Sequence, residues 1–158
     1  MPIHRDSIGA FYLWGGNGKK YRYPTSAPRS RTRVPRDRAG ATEARRFVRR
    51  FAAQHHLDGR CTASAGLVAS ELVANACVHG AAPIELAVSR HSEMLRIEVT
   101  DGDPRTEVVP RPRRSLTDLH GRGLHVVDAV ARCWGTTHQR NSKTVWAEVD
   151  LDNLRGVA

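Results

Sequence analysis

Apolar residues recur along this chain with two different periods, and the changes from one to the other divide it into elements. Ala44, Phe47, Val48 and Phe51 fall at i, i+3, i+4 and i+7 with Arg45, Arg46, Arg49 and Arg50 on the other face. That pattern predicts an amphipathic helix from about Asp37, closed by Gly59. A second helix is predicted from about Thr62 to His79, capped by Thr62 or Ser64 and stopped by Gly80. Its stripe of Ala65, Val68, Leu72 and Ala76, widened by Leu67 and Val73, marks a largely buried helix. The period then drops to two. Ile84–Arg90 and Met94–Thr100 alternate as a half-buried antiparallel pair does, with His91-Ser92-Glu93 as the turn. A third helix, Gly123 to about Ala131, turns Leu124, Val127 and Val130 inward, and Trp134–His138 and Thr144–Leu151 form a second hairpin.

The stretches between these elements differ in kind. Residues 1–36 are rich in glycine and proline, with Tyr21-Arg22-Tyr23 as a candidate short edge strand. Residues 101–120 form a long loop with Pro104, Pro110 and Pro112, and long loops inside a compact domain are more often functional than accidental. The order helix, helix, hairpin, loop, helix, hairpin predicts an α/β (α+β) two-layer sandwich, its sheet mixed but mainly antiparallel and its helices on one face. The expected division is a basic, flexible arm over 1–36, a domain over 37–151 and a tail over 152–158.

Composition narrows this further. At 158 residues and 40% apolar, the chain is one ordinary domain rather than a disordered segment. No apolar run approaches the roughly 18 residues of a membrane span and nothing resembles a signal peptide, so a cytoplasmic protein away from membranes is expected. Cys61, Cys77 and Cys133 are odd in number and widely spaced, which fits reduced thiols better than disulfides or zinc. The formal charge of +9 is local: residues 1–50 hold 13 of the 25 basic residues and three acidic ones. The remaining 108 residues are nearly neutral, with 12 basic against 13 acidic. Nucleic acid is therefore a disfavoured partner, and a solvated tail is the simpler reading of the charge.

Chemistry concentrates at three places. Glu71 and Asn75 are four apart on the second helix, offset by about 40°, with His79 one turn further. A carboxylate and an amide on an otherwise apolar helix need partners, because burying either alone costs roughly 1–3 kcal/mol. An amide oxygen suits Mg²⁺ and a glutamate can orient or deprotonate a nucleophile; loop capping and backbone hydrogen bonds are the alternative. Asp101-Gly102-Asp103-Pro104 ends a strand, where a carboxylate can accept from a base amino group or simply make a turn. Gly121-Arg122-Gly123 opens a helix, a place for phosphate or for a hinge.

Taken in order, these segments resemble the GHKL (Bergerat-fold) ATP-binding superfamily over about residues 37–151. Glu71-Leu72-Val73-Ala74-Asn75-Ala76-Cys77-Val78-His79-Gly80 resembles its N box. Val99–Pro104 and Gly121–Val127 are similar to its two glycine boxes, and Lys143–Glu148 to its closing strand. The compact form most resembles the anti-sigma-factor serine/threonine kinases of bacteria, the histidine-kinase-like ATPase type. The resemblance implies an ATP lid, Mg²⁺ on Asn75, and Glu71 as the base that activates an acceptor hydroxyl. It implies Asp101 on the adenine amino group, Gly121, Arg122, Gly123 and Leu124 around the phosphates, and Thr144 near the adenine–phosphate end. Asp103 and His79 join the nucleotide-binding set on the same ground. Two departures stand out: Asp-Gly-Asp-Pro replaces the superfamily's Asp-x-Gly-x-Gly, and Asn141-Ser142 replaces the glycine that often precedes the lysine–threonine pair. The implied activity is phosphorylation of an anti-sigma-factor antagonist and/or sequestration of a sigma factor, commonly by a homodimer. The alternative is a nucleotide-responsive regulatory module without significant kinase activity.

Overall fold

The computed structural model describes residues 4–5, 11–14, 20–23, 27–106, 108 and 123–151. A five-stranded sheet is built from β4 (Arg29–Val34), β5 (Ile84–Arg90), β6 (Met94–Asp101), β7 (Cys133–His138) and β8 (Lys143–Asp150), in the order β4-β5-β6-β8-β7. Every neighbouring pair among these strands is antiparallel, in keeping with the mainly antiparallel sheet and two-layer plan expected. Three short strands, β1 (His4–Arg5), β2 (Phe11–Trp14) and β3 (Lys20–Tyr23), form a separate antiparallel sheet, and the candidate strand at 21–23 lies in it.

β4 moves the start of the domain. Six register pairs tie Arg29–Val34 to β5, from Arg29↔Ser89 to Val34↔Ile84, so the sheet begins well before residue 37. Its period of two is carried by arginines rather than apolar residues: Arg29, Arg31 and Arg33 point away from the helices, and only Val34 is buried. Charged side chains on an edge strand discourage further strand pairing.

Helix α1 (Ala39–Gln54) buries Ala44, Phe47, Val48 and Phe51 as its periodicity requires. Helix α2 (Gly59–His79) starts three residues earlier than predicted because Asp58, not Thr62 or Ser64, is its cap: the Asp58 carboxylate accepts from Cys61 N at 2.8 Å. By length and composition alone α2 is apolar enough to cross a membrane. Here it is the core helix, packed against α1, the sheet and the short helix α3 (Gly123–Val130). Leu72, Val68 and Val73 of α2 meet Leu86, Val88, Leu95, Ile97 and Val99 of the sheet and Val127 of α3 in one cluster. The three cysteines are free, and Cys61 lies inside this cluster.

Strand alternation then sorts the remaining side chains. Leu95, Ile97, Val99 and Asp101 of β6 face the helices, as do Lys143, Val145, Ala147 and Val149 of β8. The opposite face carries a buried ion pair, Arg96 to Glu148 at 3.0 Å, with the Arg96 guanidinium 4.2 Å from the Trp146 ring centroid.

Candidate functional site

Helix α2 acts as the ruler of the site. Glu71, Asn75 and His79 lie along one side of its last turns, and Gly80 ends it. At its far end a Cβ on Gly80 would stand 2.6 Å from Asp101 Cγ, so the helix terminus rests directly on the Asp101 carboxylate. At the other end a Cβ on Gly123 would stand 2.8 Å from Glu71 Oε2, so the first residue of α3 rests on the Glu71 carboxylate. Nine residues separate Glu71 from Gly80, about 13 Å at the helical rise. The two contacts thus mark the ends of the stretch of α2 that carries Glu71, Asn75 and His79, the candidate groove.

The Asp101 carboxylate is 1% exposed and strongly asymmetric. Its Oδ1 accepts from Lys143 Nζ at 2.9 Å, Asp103 N at 2.8 Å and Ala81 N at 3.4 Å. Lys143 Nζ is equally 2.9 Å from Oδ2, which has no other donor. A carboxylate oxygen has two lone pairs, so Oδ2 can still accept from an amino group on a ligand. Lys143 is itself 2% exposed and donates a second hydrogen bond to Asp103 O at 3.2 Å.

Two residues expected at the nucleotide have their side chains engaged elsewhere. Thr144 points to the other face of the sheet, where its hydroxyl and that of Thr100 are 2.7 Å apart. The inward residue at this strand end is Lys143, opposite Asp101 in register. The Asp103 carboxylate is spent inside its own loop: it accepts from Arg105 N at 2.9 Å and from the Thr106 hydroxyl. Those bonds, the Thr106 one foremost, hold its acidity above that of an ordinary aspartate. Its contribution to the site is the main-chain oxygen held by Lys143.

Asn75 is half-buried on the side of α2 that carries Glu71, and its amide is the side chain suited to a hard cation. Among the described residues no cluster of three or more His, Cys, Asp or Glu forms a metal cage, so a cation here would need phosphate oxygens as well. His79 is exposed at the end of α2, and Leu124 is buried against the core beneath α3. Gly121 and Arg122, expected at the phosphates, lie outside the described residues.

Sequence reasoning missed Lys143 by starting the last strand one residue late. The signal was present: Lys143, Val145, Ala147 and Val149 share one period-two face.

Residues 34–147 match the family model of the histidine kinase-like ATPase domain. Among solved structures, the RsbU and RsbW domains of Rv1364c from Mycobacterium tuberculosis share the fold with a TM-score of 0.58 and 20% identity. The match covers 82% of this chain and 33% of that one, so this chain spans about a third of the length of its structural neighbour. No curated protein matches the chain.

Proposed function

The chain belongs to the histidine kinase-like ATPase domain family, and from that premise we propose that it is a regulatory protein serine/threonine kinase of the anti-sigma-factor type. Membership makes it an ATP-binding domain with a kinase-like or regulatory role. The finer reading rests on one observation: Glu71 stands at the groove end that meets α3, one turn of α2 from Asn75. A nucleotide whose base meets Asp101 places its terminal phosphate at that end. Glu71 then receives the proton of an incoming serine or threonine hydroxyl as the phosphoryl group passes to it. Mg²⁺, held by the Asn75 amide, would neutralise phosphate charge when bound. The substrate is a protein, in the cytoplasm, whose phosphorylation frees or captures a sigma factor.

The same contact supports a second reading. A carboxylate at the start of α3 also complements the positive end of the helix dipole, so Glu71 can serve the fold of a nucleotide-responsive module without transfer. Incubation with radiolabelled ATP, Mg²⁺ and a partner co-purified from the native cell separates them. The kinase reading expects labelled partner, lost on chelation, and a drop of about 10²- to 10⁴-fold for Glu71→Ala with ATP affinity largely kept. Transfer unchanged by Glu71→Ala would remove Glu71 as the base; no transfer from the wild-type protein would favour the module.

A further inference from the structure

The Asp101–Lys143 pair is built unequally, and the inequality has a direction. Three donors, from Lys143, Asp103 and Ala81, converge on Oδ1. Oδ2 meets no main-chain donor, only the same Lys143 ammonium at 2.9 Å, although it is equally buried. Lys143 is fixed in turn by Asp103 O and by its place opposite Asp101 in the β6–β8 register. Neither carboxylate nor ammonium has freedom to turn: each is almost fully enclosed, and Gly80 closes one side of the carboxylate at van der Waals range.

We propose that Lys143 is the positioning residue that sets the base preference of this site. By supplying the balancing charge to a carboxylate whose Oδ1 is already held by two main-chain N–H groups, it keeps Oδ2 as the oxygen that accepts from a base. Such an acceptor admits a purine with a 6-amino group and rejects one with a 6-oxo group, which would set acceptor against acceptor in a buried place. Discrimination of this kind is large because the mismatch strands polar groups out of water. Without the ammonium, a lone buried carboxylate is neutralised by a proton. The resulting carboxylic acid donates to a 6-oxo group as readily as it accepts from a 6-amino group, so the preference collapses. The inference rests on the reading of Asp101 as the base acceptor.

Calorimetric titration of ATP and of ITP, each with Mg²⁺ and no protein partner, tests it. The wild-type protein is expected to favour ATP by roughly 10²-fold or more. In Lys143→Met the ratio should fall to within about threefold of unity, through weaker ATP and unchanged or tighter ITP binding. A lysine with a purely structural role would weaken both nucleotides alike and keep their ratio. Circular dichroism checks folding; if Lys143→Met does not fold, Lys143→Gln is titrated instead, since it keeps an N–H near Oδ1 but no charge. A folded variant that retains the wild-type ratio overturns the proposal. Asp101→Ala, which removes the acceptor altogether, separates the two levels of failure. If it binds ATP as well as the wild type does, Asp101 is not the base acceptor and both readings fall. If it loses ATP while the lysine variants keep their selectivity, only the role of Lys143 falls.

Discussion

Gly80 shows how little room single residues have in this groove. Any side chain there meets Asp101 Cγ at 2.6 Å and Ala76 O at 2.7 Å, and neither can retreat, since one is pinned by Lys143 and the other belongs to a helix. Gly80→Ala is therefore expected to lower stability by about 1–3 kcal/mol and to weaken ATP binding, read by thermal unfolding with and without nucleotide. An alanine variant as stable as the wild type would show that the helix end can shift off Asp101. At this scale the sequence disclosed residue types better than directions. Glu71, Asn75 and Asp101 were legible because each is polar in an apolar frame. Lys143 was not, because it stood just outside the last strand as read, and Thr144 entered the set from the family resemblance, not from the alternation that turns it to the other face.

Among the elements, α2 carries both the core and the groove, so its first turn matters to both. Asp58 satisfies a main-chain donor that the helix cannot. Asp58→Ala should cost about 0.5–2 kcal/mol, whereas Thr62→Ala and Ser64→Ala, once predicted caps, should cost much less. Urea unfolding of the three variants checks the order. The cap was misread because Gly59, taken as the stop of the first helix, is the first residue of the second, while Thr62 and Ser64 stand beside the apolar stripe. The third helix and the β5–β6 hairpin were read nearly to the residue, and the first two helices in kind but not in bounds, since the alternation of all of them is in apolar positions. β4 escaped notice because its alternation is in arginines between prolines, a pattern that resembles a solvated arm.

For the molecule as a whole, β4 decides where the domain can be cut. Val34 is 7% exposed and packs in the main cluster, and six register pairs bind its strand to β5. A chain beginning at residue 27 should unfold cooperatively. One beginning at residue 35 should unfold at a lower temperature and aggregate, having lost about 1.5–3 kcal/mol from Val34 alone and bared the edge of β5. Equal melting temperatures for the two would mean that β4 is dispensable. The two-layer plan was legible because it follows from element order, whereas the all-antiparallel pairing required the register. That register also joins two distant positions into one hereditary unit. Changing Asp101 or Lys143 alone strips its buried partner of a counter-charge, a loss of about 3–5 kcal/mol from a fold holding about 5–15. Descendants of this chain that differ at one position are thus expected to differ at both, and a lineage that discards the pair must cross a poorly folded ancestor or change both in a single step.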